Sequence, residues 1–382
     1  MIRKIGFVLI GILSTLILGL ILLEIVFGGW LKSNSGWHVA DKIGITRNQK
    51  ITFDNALSYG KQFLNHQDRF GTSTWNQYGL RGTCEPSETQ IVVMGGSTTH
   101  NPTTSDEKVW TSVLQIRLRE KLKQQNICVM NAGVNGQTSY GHIASLEKWL
   151  PLIPKFSPKI YIFYMGINDA GFEAESVISW ESGKFDISSF ENFTKWLKWN
   201  SATYRGFKLI QYTWKRSAPA EQRAYTNVNL ETKVTELNYS DASRLPDTER
   251  LIEKNKLIFE KNLKRIIKNV KQNDAMFICI SQPHQLTRII NGEKRGIGDA
   301  GRYSGVNING LDYDASLRAL NSIMEQKCSG KNGHYINLTD KEFSINSYWD
   351  YVHMTPDGQN LLANLITNEL LSIKNFSPIL IK

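Results

Sequence analysis

A serine, an aspartate and a histidine in this chain have the residue types and the setting that nucleophilic catalysis needs. Ser97 follows two glycines in IVVMGGSTTH, and Asp350 lies three residues before His353 in DYVH. A serine hydroxyl becomes a nucleophile when a base takes its proton, and the base needs a third group to fix its tautomer. We therefore predict that Ser97 is the nucleophile, His353 the base and Asp350 the residue that orients the base.

Three hydrogen-bond donors are candidates for stabilising the oxyanion of a tetrahedral intermediate. They are the backbone N–H groups of Ser97 and Gly136 and the side-chain amide of Asn168. Gly136 stands in NAGVNGQTS and Asn168 in GINDAG. Glycine suits this role because its missing side chain lets a reacting carbonyl approach the backbone closely.

Each of these segments has a plainer interpretation when it is taken alone. A Gly-Gly-Ser triplet is usually a turn, NAGVNGQTS reads as a loop, and a lone histidine is usually a satisfied core residue. His284 in SQPHQ is a second histidine at the end of a predicted strand. Only His353 has an aspartate three residues before it and a capped helix directly after it. The combination therefore favours catalysis.

Five apolar runs alternate with helical patterns after residue 89: QIVVMGG, ICVMNAG, KIYIFYMG, AMFICISQP and HYINL. Strands separated by helices predict a parallel sheet covered on both faces. Ligands of such sheets bind at the carboxyl ends of the strands. The candidate residues follow strands one, two, three and five, so the sequence predicts that they meet at one edge of the sheet.

The connecting segments predict helices and one long interruption. Helices are expected after the first two strands and near 245–272, 312–328 and 356–372, with Ser105 capping the first and Thr355 the last. Leu361 is assigned to the buried face of the last helix, and residues 291–310 are predicted to be a Gly-rich loop. Residues 172–243 lose the strand–helix rhythm and are predicted to be an aromatic insertion.

The N-terminal segment predicts a membrane anchor over residues 1–32. Arg3 and Lys4 precede an apolar run from Ile5 to Leu23, close to the roughly 20 residues that cross a bilayer core. The positive-inside rule then puts the remainder of the chain outside the cytoplasm. A cleaved signal peptide is the alternative. Residues 33–88 are predicted to be an irregularly packed stalk, and residues 89–382 the catalytic domain.

Composition and cysteine content narrow the function classes. The net charge is +10, of which residues 1–32 carry +2 (three basic residues and one acidic), leaving +8 on the remainder. This surplus is either diffuse or suited to an anionic membrane surface or acidic polysaccharide. The sequence lacks an arginine-rich stripe interleaved with aromatic residues, so we do not expect nucleic-acid binding. The four cysteines are Cys84, Cys128, Cys279 and Cys328, and none of them lies in a Cys-x-x-Cys motif. They allow three disulfide pairings, and the sequence does not choose among them.

The chain resembles the SGNH hydrolases, also called the GDSL esterase/lipase superfamily, in their membrane-anchored bacterial form. The resemblance covers about residues 75–372 outside the insertion, and it includes YGLRG before the first strand and SQPH after the fourth. The blocks that give the family its name match Ser97, Gly136, Asn168 and His353, and Asp350 matches the aspartate of the Asp-x-x-His block.

The resemblance implies a three-layer α/β/α sandwich around a five-stranded parallel sheet, in a flavodoxin-like arrangement. It implies acyl transfer through Ser97 without metal or cofactor, on an acyl ester carried by a glycan or a lipid. Gly96 departs from the family pattern, because the first block usually has aspartate there. Two acyl acceptors remain possible. Water as the acceptor would make the protein an esterase, and a sugar hydroxyl would make it an O-acyltransferase. An inactive envelope-binding module is the non-enzymatic alternative.

Overall fold

The computed structural model describes residues 2–28, 37, 40, 43–60, 63–171, 201–204, 206, 239–240, 245, 247–303, 306–330, 332–341 and 343–381. The chain divides into two compact units: Met1–Lys42 with Ser179–Glu221, and Ile43–Ile178 with Gln222–Lys382. Most of the predicted insertion at 172–243, and most of 29–42, lie outside the described residues.

The first unit contains helix α1, Ile2–Phe27. The Glu24 carboxylate accepts hydrogen bonds from the Ser201 hydroxyl (2.5 Å) and from the backbone N–H groups of Ala202 (2.9 Å) and Thr203 (3.0 Å). Among the residues that the structure describes, no helix combines the length and apolar content needed to cross a membrane. The membrane anchor therefore stays a prediction.

The strands of the second unit are β1 Gln49–Asp54, β2 Phe70–Trp75, β3 Ile91–Gly95, β4 Val129–Asn131, β5 Ile160–Tyr164, β6 Tyr239–Ser240, β7 Met276–Ile280, β8 Thr287–Ile290, β9 Glu293–Ile297, β10 Gly301–Tyr303, β11 Val306–Ile308 and β12 Gly333–Ile336. Its helices are α2 Asn55–Tyr59, α3 Ser97–His100, α4 Trp110–Leu122, α5 Ser139–Ala144, α6 Thr248–Gln272, α7 Gly310–Cys328, α8 Pro356–Ser372 and α9 Phe376–Ile381.

Five parallel strands form the central sheet in the order β12-β7-β5-β3-β4. Numbered along the chain within the sheet, this is the flavodoxin-like order 2-1-3-4-5. The predicted five-stranded parallel sheet is therefore confirmed. The order reverses between β3 and β5, and open α/β sheets bind ligands beyond the strand ends at such a switch point.

Helices cover both faces of the sheet, as β7 shows. Met276, Ile278 and Ile280 belong to the core that includes buried residues of α4 and α8. The alternate residues point the other way, since Phe277 lies under Lys271 of α6, and Cys279 is bonded to Cys328 of α7. The period-two alternation of a strand thus serves two helical layers.

The cysteines form two disulfides, Cys84–Cys128 and Cys279–Cys328. This resolves the three pairings that the sequence left open. Each bond fastens the sheet to a neighbour: the first joins the start of β4 to the segment before β3, and the second joins β7 to α7.

Several local predictions were wrong. Helix α4 begins at Trp110, not after Ser105, because the Ser105 hydroxyl accepts from the Thr72 N–H, and the Asp106 carboxylate binds Arg81 at 2.6 Å. The predicted Gly-rich loop at 291–310 contains β9, which pairs with the preceding β8, and the antiparallel pair β10–β11. Leu361 is 38% exposed rather than buried.

Other local predictions were confirmed. Helix α8 begins at Pro356, and its N-cap Thr355 accepts from the N–H of Gly358 at 3.2 Å. The described part of the predicted stalk, by contrast, is not irregular throughout, because β1 and β2 pair in antiparallel fashion.

Candidate active site

The nucleophile candidate stands directly after β3, whose residues are all buried. Ser97 is the first residue of α3, and the chain turns sharply there because two glycines precede it. A β-carbon on Gly95 would lie 2.1 Å from Thr99 Oγ1, and one on Gly96 would lie 2.3 Å from Asn168 Nδ2. A side chain at Gly96 would therefore require the end of the Asn168 side chain to shift.

The three predicted oxyanion donors lie on adjoining segments. The Asn168 amide is next to Gly96 and donates to the backbone carbonyl of Gln137 at 2.9 Å. Gly136 has φ +69, a conformation that favours glycine, and a β-carbon placed there would meet no atom within 4 Å. Its position therefore opens onto free space beside the segment that Asn168 contacts.

Asp350 and His353 form a close pair, as the sequence predicts. Asp350 Oδ2 lies 2.7 Å from His353 Nδ1, while Oδ1 accepts from the backbone N–H groups of Val352 (2.8 Å) and His353 (2.7 Å). The carboxylate thus orders its own loop and fixes the imidazole. Burial opposes both charges, but mutual attraction outweighs it, so the pKa of His353 is raised and that of Asp350 lowered.

The structure does not join Ser97 directly to His353. Within the described part of the chain, neither the Ser97 hydroxyl nor His353 Nε2 forms a hydrogen bond with the other or with a different protein group. Nucleophile–base contacts are often loose in ligand-free enzymes and tighten with substrate. His353 Nε2 is therefore available to a hydroxyl or to a leaving group.

Gln282 connects the site segments and was not singled out from the sequence. This buried side chain donates from Nε2 to Thr98 Oγ1 at 2.6 Å, and its Oε1 accepts from the Ile167 N–H at 2.8 Å. It thereby bridges the residues that follow Ser97 and precede Asn168. The same segment reaches the Asp350–His353 loop, since the Gln285 N–H donates to the Tyr351 carbonyl at 2.7 Å. The only sequence signal was SQPH itself.

Aromatic side chains from the N-terminal part of the second unit lie beside His353. Tyr59 stacks on Trp349 with ring centroids 5.5 Å apart and lies 6.4 Å from the His353 ring. Phe63 and His66 meet Trp349 edge-on, at 4.6 Å and 5.3 Å. Trp349 is buried, while the other three are partly exposed. The sequence assigned this stretch to a stalk and gave no sign that it borders the site.

The rival histidine has a different setting. His284 Nε2 lies 3.2 Å from Asp314 Oδ1, and its Nδ1 accepts from the Leu286 N–H at 3.2 Å. Asp314 also binds Lys294 and Arg318. Both ring nitrogens of His284 thus face protein groups, which leaves His353 as the candidate base.

A serine at the switch point of a parallel sheet, adjoining amide donors and a histidine oriented by aspartate define an α/β serine hydrolase that acts on esters. The family model of the GDSL-like lipase/acylhydrolase family matches residues 93–361, about seven tenths of the chain. The chain belongs to that family, which confirms the resemblance to the GDSL esterase/lipase superfamily and the prediction of a serine ester hydrolase. The membrane-anchored form stays a prediction.

Solved structures of similar proteins include three enzymes of this kind. A putative lipolytic protein of the G-D-S-L family from Desulfitobacterium hafniense is 13% identical, with TM-score 0.36 over 73% of this chain and 98% of that chain. An acetyl xylan esterase variant from Geobacillus stearothermophilus is 13% identical, with TM-score 0.36 over 73% of this chain and 93% of that chain. The psychrotrophic esterase EstA from Pseudoalteromonas is 14% identical, with TM-score 0.37 over 75% and 98%.

No curated protein matches the chain in sequence.

Proposed function

We propose that the protein uses Ser97, His353 and Asp350 to hydrolyse O-acyl esters, such as O-acetyl groups, on envelope glycans or lipids outside the cytoplasm. The observation that carries the proposal is the Asp350–His353 pair at 2.7 Å, in which His353 Nε2 has no hydrogen-bond partner among the described residues. The adjoining donors of the Gly136 and Asn168 segments support an oxyanion beside Ser97.

The reaction follows from the roles of these groups. Ser97 Oγ attacks the ester carbonyl carbon while His353 Nε2 takes the hydroxyl proton, and Asp350 stabilises the imidazolium that forms. The N–H groups of Ser97 and Gly136 and the Asn168 amide bind the oxyanion. The intermediate collapses, His353 returns the proton to the departing alkoxide, and the alcohol leaves. Water then attacks the acyl-enzyme by the same steps and releases the carboxylic acid.

The aromatic cluster supports a ring-bearing substrate such as a glycan. Tyr59 and Phe63 are partly exposed beside His353 and can present flat apolar surfaces to the alcohol part of an ester. Replacing Tyr59 with alanine should raise KM for an acetylated oligosaccharide and leave p-nitrophenyl acetate hydrolysis nearly unchanged. Phe70→Ala is the matched control, since Phe70 is an exposed ring outside the cluster. Equal effects on both substrates would remove the ring surface from substrate recognition.

Two features support the location. Both disulfides fit an oxidising compartment, because such bonds are rare where thiols are kept reduced. Leu13 and Leu16 of α1 are 59% and 60% exposed, and an exposed apolar surface of this kind suits a membrane. A reporter that is active only outside the cytoplasm, fused after residue 40, should be active, and the protein should stay with membranes after a carbonate wash. A soluble form that begins near Ser33 would identify a cleaved signal instead.

Labelling with a fluorophosphonate probe tests the nucleophile directly. The wild-type protein should be labelled and Ser97→Ala should not. Ser105→Ala should be labelled like wild type, because Ser105 lies in the same region but outside the site. Labelling of Ser97→Ala at the wild-type rate would assign the nucleophile to a different residue.

A further inference from the structure

Asp169, the residue after Asn168, is a buried carboxylate that the proposed reaction does not use. It is 2% exposed. Both carboxylate oxygens lie 3.0 Å from the Ser139 N–H, and Oδ1 also accepts from the Ser139 hydroxyl at 2.5 Å. Asp169 therefore faces the start of α5.

The partners of Asp169 are neutral. Asn262 of α6 donates to the Ser139 hydroxyl at 2.9 Å, and Asn255 donates to the Asp169 backbone carbonyl at 3.2 Å. Among the described residues, no lysine, arginine or histidine forms an ion pair with Asp169. Burial raises the pKa of Asp169 to about 6, although its hydrogen bonds with Ser139 lower it. Keeping a charge there costs folding free energy, so its presence calls for a role other than stability.

The geometry supplies that role. Ser139 lies three residues after Gly136, and Asp169 lies one residue after Asn168. The Asn168 side chain already binds the Gln137 carbonyl at 2.9 Å. The two loops that carry the oxyanion donors are thus joined at two points, once through Asn168 itself and once through Asp169. The second connection leaves the donors free to meet a substrate.

We propose that Asp169 is a positioning residue that holds the Gly136 N–H and the Asn168 amide in register for the oxyanion. The proposal rests on the proposed function of Ser97 and its oxyanion donors. Asp169 acts through these donors and touches neither substrate nor reacting atoms, so its effect belongs to the transition state and not to substrate binding.

The main test is Asp169→Asn, which keeps the shape but removes one acceptor and places an amide against the Ser139 N–H. We expect kcat for p-nitrophenyl acetate to fall by about 10- to 100-fold, the scale of a small misplacement of catalytic groups. KM should stay within about threefold, because the oxyanion exists only in the transition state. The thermal unfolding midpoint should hold or rise, because the variant buries no charge.

A double-mutant cycle with Asn168→Ala sharpens the test. If Asp169 acts through the donor, Asp169→Asn should cost at most about threefold in the Asn168→Ala background, since coupled residues are not additive. Fully additive losses would overturn the proposal. Ser139→Ala removes the hydroxyl that donates to Asp169 Oδ1 but keeps the backbone N–H contacts, and it should lower kcat about fivefold. It decides the question if Asp169→Asn fails to fold, and wild-type kcat in Ser139→Ala would then overturn the proposal.

Asp312 provides the matched control. It is a buried aspartate of α7 that accepts from the Leu245 N–H (3.0 Å) and the Thr248 hydroxyl (2.8 Å). Asp312→Asn also removes a buried aspartate charge, and it should leave kcat unchanged. Two experiments distinguish a failure of the proposed function from a failure of the positioning role: hydrolysis by Ser97→Ala, and kcat of the Asp169 and Ser139 variants. Hydrolysis by Ser97→Ala would refute the proposed function, whereas wild-type kcat in the Asp169 and Ser139 variants, with Ser97 essential, would refute only the positioning role.

Discussion

Two histidine–aspartate pairs follow neighbouring parallel strands of the same sheet, and they differ in what surrounds them. His284 and Asp314 lie 3.2 Å apart, with side chains that are 5% and 3% exposed. His353 and Asp350 lie 2.7 Å apart, with side chains that are 18% and 11% exposed. The two pairs are therefore similar in the distance between their partners and in their burial.

The difference lies in the remaining hydrogen-bonding groups. Asp314 also binds Lys294 at 2.5 Å and Arg318 at 3.1 Å. Asp350 has no second cation among its described partners and instead accepts from two backbone N–H groups. His284 has both ring nitrogens against protein groups, whereas among the described residues only Nδ1 of His353 has a partner. A histidine–aspartate pair can serve as a general base only when the distal nitrogen stays unpartnered and the carboxylate is not neutralised by other cations.

Replacing each histidine in turn should give the largest difference in kcat between the two pairs. His353→Ala should lower kcat by about 100,000-fold or more, because the serine then has no base. His284→Ala should retain kcat within about threefold. Steady-state hydrolysis of p-nitrophenyl acetate measures both, with circular dichroism as the check on folding. A large loss of activity in a folded His284→Ala protein would reverse the assignment.

The two aspartates should separate activity from stability. Asp350→Asn should lower kcat by about 10,000-fold, the effect of a wrong histidine tautomer. Asp314→Asn should keep activity but lower the free energy of unfolding by about 1–3 kcal/mol, because charged partners lose their acceptor. Urea titration and kcat measured on the same preparations test this. Equal activity losses in the two variants would contradict it.

The pH dependence should differ in a direction that the Asp350–His353 pair sets. Catalysis needs neutral His353, and the pKa of His353 is raised above its ordinary value of 6.5, although burial lowers it. The acid limb of kcat/KM should therefore lie above pH 6.5. In Asp350→Asn only burial remains of these effects, so the residual activity should have its acid limb at lower pH. An unmoved limb would mean that a different group titrates.

The smallest expected effect concerns the ion pairs around Asp314. Arg318 is 47% exposed, so Arg318→Ala should lower the free energy of unfolding by less than about 1 kcal/mol. Its kcat should match wild type. A measurable change in kcat would show that the Asp314 cluster communicates with the site.

The sequence predicted the parallel sheet and the Asp350–His353 pair because both depend on local patterns. Apolar runs bounded by glycine mark the buried strands, and a three-residue spacing lets Asp350 cap its own loop. The roles of Gln282 and Asp169 were not predicted. Their hydrogen-bond partners lie far away in the chain, so no local spacing in the sequence indicates these contacts. Ser105 was predicted to cap a helix because local rules do not reveal its contact with Thr72 or the ion pair between Asp106 and Arg81. The disulfide pairing likewise depends on which segments the fold brings together.

The pairing of the cysteines has a consequence for how the chain reaches its fold. The first cysteine bonds the second and the third bonds the fourth, with sequence separations of 44 and 49. In a chain that is exported from its N-terminus, each pair is complete before the next cysteine emerges. An oxidase that joins cysteines in their order of appearance therefore reaches the native set directly, and the slow reshuffling of wrong bonds is not needed. The loop that carries Ser97 is the first to be closed.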